Sequence, residues 1–163
     1  MFVFTASIYR WRFTKVELSG SAGAGQYKSI EATHMPLLRF DVVKGRTDAE
    51  LKAMLDASHR AVLSAFNVPA RDRYQIVHEH EASRMMVEDT GLGFDRSSKV
   101  VIVSVTSRPR SEMSKRQFYA DLCRELAGHA GIEPSDVVVT FTINSDTDWS
   151  FGGGKAQFLT GEL

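Results

Sequence analysis

Three groups of residues in this 163-residue chain have types and spacings suited to chemistry. The first is Met35-Pro36. A proline that follows a methionine becomes amino-terminal when translation starts at that methionine and the methionine is then removed. Its nitrogen is then a secondary amine that titrates near pH ~8, whereas inside a chain it is an amide with no proton to give. The second is Arg108-Pro109-Arg110. A residue before proline is pushed to extended geometry, so the side chains at i and i+2 can project to one side. Two guanidinium forks so placed make a carboxylate receptor that cannot lose its charge. On spacing alone, a solvated basic loop is the plainer reading. The third group is Trp149, Phe151, Phe158 and Leu163, large apolar residues in a Gly- and Asp-rich tail with no helical or strand stripe to bury them. They suit either an intersubunit core or the dry wall of a pocket.

Other candidates are weaker. Asp72 precedes Arg73, Tyr74 and Gln75 and reads by itself as a turn aspartate, as does Asp136. His78-Glu79-His80 puts two imidazoles on one strand face, but no third metal ligand stands at convincing spacing, so no metal is expected. Gly91-Leu92-Gly93 lacks the third glycine and the strand-to-helix setting of a dinucleotide site, and Gly152-Gly153-Gly154 lacks the lysine and hydroxyl of a phosphate loop. Cys123, in an amphipathic pattern, reads as a small buried residue rather than a nucleophile.

The elements that must position these groups form a repeat with an offset of 64 residues. Pro36–Val43 reads as a strand. Thr47 caps a helix with Glu50 three positions later, and Leu51, Met54, Leu55, Ser58, Val62, Ala65 and Phe66 form its inward stripe. The shifted copy has a strand at Val100–Ser107, a helix start near Ser111, and a stripe of Phe118, Tyr119, Leu122, Leu126 and Ala130. Val68-Pro69-Ala70-Arg71-Asp72 matches Ile132-Glu133-Pro134-Ser135-Asp136, and strands follow at Arg73–Val77 and Val137–Ile143. Two such units imply right-handed crossovers, parallel pairing within each unit and both helices on one sheet face. The predicted fold is α+β, two β-α-β repeats forming a four-stranded sheet backed by two helices. Its bare face and edges call for self-association.

At this length, with 43% hydrophobic and 25% charged residues, 36–163 suits one globular domain. Residues 1–35 read as an extension, either disordered or the product of a start placed too far upstream, because 19–29 are small and polar without periodicity. An added strand over Phe2–Phe13 is the alternative there. Net charge is zero, with four basic and two acidic residues in 1–35 and sixteen basic and eighteen acidic in 36–163. That balance speaks against nucleic acid or a membrane surface as partner. No apolar run approaches the ~20 residues of a membrane span. The N-terminus does not fit a signal peptide. The lone cysteine favours a reducing compartment, so a cytoplasmic location is expected.

Met35-Pro36-Leu37-Leu38, Gly45-Arg46-Thr47, 71–80, Val105-Thr106-Ser107-Arg108-Pro109-Arg110, 131–136 and Asp148-Trp149-Ser150-Phe151-Gly152 together resemble malonate semialdehyde decarboxylase of the tautomerase superfamily, over 35–163 and nothing before. The resemblance implies a homotrimer with Pro36 as the amino-terminal catalytic residue. It assigns Asp72, Arg108 and Arg110 to catalysis, and Arg108, Arg110, Trp149, Phe151, Phe158 and Leu163 to a small carboxylate substrate. No cofactor is implied. Decarboxylation of malonate semialdehyde leaves an enolate. A protonated Pro36 would stabilise it by donating to the aldehyde oxygen, with Asp72 favouring the cation; a Schiff-base route is equally open. Rival readings are a hydratase or dehalogenase of small unsaturated acids, a keto-enol tautomerase with Pro36 as a neutral base, and a non-catalytic trimer that retains 1–35.

Overall fold

The computed structural model describes residues 36–163; the predicted extension, with its alternative strand, lies outside the described residues. The elements run β1 (Pro36–Val43), α1 (Asp48–Phe66), β2 (Tyr74–His80), β3 (Val101–Ser107), α2 (Glu112–Ala130), β4 (Val137–Ile143) and a four-residue helix, α3 (Gln157–Thr160). The sheet order is β2-β1-β3-β4. β1 and β2 pair in parallel, as do β3 and β4, and the two units join antiparallel along β1 and β3. This is the four-stranded α+β sheet with two helices that the repeat predicts.

Local chemistry explains the boundaries. Thr47 and Glu50 form a reciprocal capping box, with the Thr47 amide donating to Glu50 at 2.8 Å and the Glu50 amide donating to Thr47 at 3.3 Å. Ser111, 64 residues later, caps α2 by accepting from the Ser114 amide at 3.1 Å. The two helices also end at equivalent places, Asn67 and Gly131, both left-handed at φ 49° and 60°. Glycine and asparagine are the residues that adopt that conformation at least cost.

Alternation on the inner strands places Leu38, Phe40 and Val42 of β1 and Val101, Val103 and Val105 of β3 against the helices. The helices return Met54, Ala57, Ala61, Val62 and Phe66 from α1 and Phe118, Leu122 and Leu126 from α2. Phe66 and Phe118 stack at 5.0 Å, and Phe141 of β4 meets both edge-on at 6.3 and 6.0 Å. Two local expectations need correction. The second strand begins at Tyr74 and runs on to His80, so the histidine pair lies inside it, because pairing with β1 continues through Val43 and His80. On α2, Tyr119 is 39% exposed, while Asp121 is buried and bonded to Arg124 at 2.5 Å.

Truncating Leu122 to alanine is expected to cost about 2–5 kcal/mol, as for other buried leucines. Thr47→Ala is expected to cost about 1 kcal/mol through the lost cap. Urea unfolding measures both. A Leu122→Ala cost below that of the cap would show that the two helices do not share one core.

Candidate functional site

Strand register brings four chain segments to one end of the sheet. Pro36 opens β1, is buried, and stands opposite Ser107, the last residue of β3. Leu37 pairs with Tyr74, so the start of β2, two residues after Asp72, lies at the same end. Ser107 also pairs with Ile143, the last residue of β4, and its carbonyl accepts from the Asn144 amide at 3.0 Å. The loops that leave β3 and β4 here carry the arginine pair and the aromatic tail.

The two arginines are held differently. Arg108 makes a bidentate pair with Asp146, its Nε 2.5 Å from Oδ1 and one Nη 3.1 Å from Oδ2. Its guanidinium lies over the Phe158 ring at 4.6 Å. Arg110 donates from Nε to the Ser107 hydroxyl at 3.1 Å and lies over Phe66, the last residue of α1, at 4.9 Å. Ser107 is fully buried, and its hydroxyl in turn donates to the Arg108 carbonyl at 2.8 Å. One side chain thus ties the turn and one guanidinium together.

Three of the four tail residues assemble into a ladder. Trp149 stacks on Phe151 at 5.5 Å and 14°, and Phe158 meets Phe151 edge-on at 5.3 Å. Tyr74 of β2 approaches Phe151 at 6.1 Å. The Trp149 indole donates to Asn144 at 2.9 Å. The Gln157 amide clamps the loop by accepting from the Phe151 amide at 2.9 Å and donating to the Gly152 carbonyl at 2.7 Å. Phe158 therefore links the ladder to Arg108. Leu163 is 48% exposed at the chain end.

Asp72 and Asp136 occupy matching places in the repeat but different surroundings. Asp136 is buried and takes the Ser97 amide at 2.7 Å and hydroxyl at 2.5 Å, a purely structural use. Asp72 is half-buried, its amide donating to Pro69 at 2.9 Å as β2 is entered. His78 and His80 do share a face, and both turn to Asp41 of β1, at 3.5 and 2.7 Å. A recess of about 210 Å³ lies at the far end of β1, lined by Val43, Lys44, Gly45, Arg46, Glu50, Ser98 and Lys99. Its cations are committed to structure: Arg46 donates to the Val43 and Lys99 carbonyls, Lys99 to that of Gly131, and Lys44 pairs with Glu81.

A family model described as tautomerase enzyme matches residues 72–152, and another of the same description matches 36–95. The chain is 52% identical over 129 residues to the probable tautomerase YrdN of Bacillus subtilis (strain 168), covering 79% of this chain and all of that protein. The chain belongs to the tautomerase superfamily. Among solved structures, malonate semialdehyde decarboxylase, determined in wild-type, mutant and inactivated forms, is 56% identical with a TM-score of 0.77, covering 78% of this chain and 98% of that one. FG41 malonate semialdehyde decarboxylase inhibited by 3-bromopropiolate is 41% identical with a TM-score of 0.75, covering 78% and 97%.

Within this tautomerase frame, sequence reasoning missed Ser107, Asp146, Asn144 and Gln157. Ser107 left a signal: it follows Val101, Val103 and Val105 on the apolar face of β3, where a hydroxyl has to be bonded. The other three stand in a polar stretch without periodicity and left none. Cys123 is half-buried, and burial pushes its thiol up, which disfavours the thiolate a nucleophile needs.

Gln157→Ala should release the ladder while leaving the domain folded, since two neutral hydrogen bonds contribute about 1 kcal/mol each. In a chain starting at Pro36, Trp149 is the only tryptophan, so acrylamide quenching reads it directly. Quenching is expected to rise with a loss of under about 2 kcal/mol in urea. Unchanged quenching would show that Gln157 does not hold the rings.

Proposed function

We propose that the chain, in a form beginning at Pro36, decarboxylates malonate semialdehyde (3-oxopropanoate) to acetaldehyde and carbon dioxide as a homotrimer, without a cofactor, in the reducing setting of the cytoplasm. The observation that carries this reading is the register that sets Pro36 across from Ser107, next to Arg108 in the chain. The identities of 56% and 41% to malonate semialdehyde decarboxylases support the substrate. Exposed Tyr74 and Ile76 beside the uncovered edge of β2 support self-association.

In this mechanism Arg110, with help from Arg108, takes the substrate carboxylate. Protonated Pro36 donates to the aldehyde oxygen, and Asp72 favours that cation. The electron pair of the breaking C–C bond moves to the enolate, where the prolyl N–H meets the charge as it develops. Carbon dioxide leaves, and the enolate carbon takes one proton to give acetaldehyde. Trp149, Phe151, Phe158 and Leu163 form the apolar wall that limits water at the carboxylate.

Keto-enol tautomerisation of a small oxo acid is a second reading, favoured by the 52% identity to a probable tautomerase. There Pro36 acts as a neutral base, and the product separates the readings.

The test is acetaldehyde release from malonate semialdehyde by the chain starting at Pro36, run beside the full chain. The short form is expected to be active and the full chain silent. Pro36→Ala and Arg110→Ala in the short form are each expected to lose about 100-fold or more, the usual cost of removing a group aimed at transition-state charge. Normal turnover by either variant, or no acetaldehyde release by the short form, contradicts the proposal.

A further inference from the structure

We infer that Asp146 is a positioning residue that holds down the carboxylate affinity of Arg108, so that the substrate is gripped loosely enough to lose carbon dioxide. The inference rests on the decarboxylase reading for its kinetic consequence and on geometry alone for its effect on binding.

A guanidinium offers five N–H donors in one plane, along more than one edge. Asp146 occupies one edge of Arg108 at 2.5 and 3.1 Å, and Phe158 covers a face at 4.6 Å. In-plane rotation is stopped by the carboxylate and out-of-plane tilt by the ring. Among the described residues the donors of the remaining edge take no partner, and their positive charge is already compensated. Arg108 therefore presents oriented donors to an incoming carboxylate without the pull of a full cation.

The decarboxylase reading gives this pairing a reason. During decarboxylation negative charge moves from the carboxylate toward the forming enolate. A full cation on the carboxylate stabilises the ground state more than the transition state, which lowers kcat as it lowers KM. Asp146 and Arg108 are 42% and 21% exposed in their side chains, so water screens the pair and the expected effect is moderate.

The experiment measures binding of propanoate, a three-carbon monocarboxylate, by calorimetry to the chain starting at Pro36 and to its Asp146→Asn, Asp146→Glu and Asp146→Asn/Arg108→Ala variants. Asn keeps an acceptor and removes the charge; Glu keeps the charge. Asp146→Asn is expected to bind propanoate about two- to five-fold tighter, with Glu restoring the wild-type value and the double variant losing the gain. With malonate semialdehyde, KM and kcat of Asp146→Asn are expected to fall together. Unchanged or weaker propanoate binding by Asp146→Asn overturns the inference, as does a gain that survives removal of Arg108. Absence of decarboxylation by the wild-type short chain sinks the decarboxylase reading instead, and the propanoate series still decides the role of Asp146.

Discussion

The antiparallel seam between β1 and β3 is the constraint on which the rest depends. Because Pro36 pairs with Ser107, the first residue of one strand lies at the last residue of the other. Parallel pairing then brings the start of β2 and the end of β4 to the same place. Chemistry-bearing segments separated by more than a hundred residues meet at one edge without a long loop reaching for them. A slip of one residue along the seam would turn every core side chain of β1 to the open face, so burial of Leu38, Phe40 and Val42 enforces the register that the site needs.

The core also supports the site directly. Phe66 closes α1, stacks on Phe118 and lies under the Arg110 guanidinium. On the other arginine, Phe158 plays the corresponding part through the ring ladder. Each guanidinium therefore rests on an aromatic face, with a hydroxyl beside Arg110 and a carboxylate beside Arg108.

What was legible in the sequence follows from what leaves a periodic or pairwise trace. The 64-residue repeat, the caps at Thr47 and Ser111 and the alternation of β1 and β3 each write a local signature, so element order, pairing sense and helix layer are legible in the sequence. Only the part of the second strand up to Val77 leaves a sequence trace, because pairing beyond it depends on the partner strand rather than on its own polar His-Glu-His composition. The tail was legible only as unplaced aromatic residues. Its order comes from one hydrogen bond at Asn144 and two at Gln157, which have no period. Asp72 and Asp136 look equivalent in sequence, yet Asp136 is buried and takes both the amide and the hydroxyl of Ser97, a residue 39 positions earlier that no local pattern ties to it.

The charge state of the Pro36 nitrogen is the most direct test of the proposed chemistry. The chain has four prolines, and in a form beginning at Pro36 the other three are amides, so ¹⁵N-proline labelling gives one titrating signal. Followed against pH by nuclear magnetic resonance, that signal is expected to have its midpoint above the ordinary α-amino value of about 8, and Asp72→Asn is expected to lower it. A midpoint below neutrality would make Pro36 a neutral base under working conditions and contradict its role as the proton donor to the enolate.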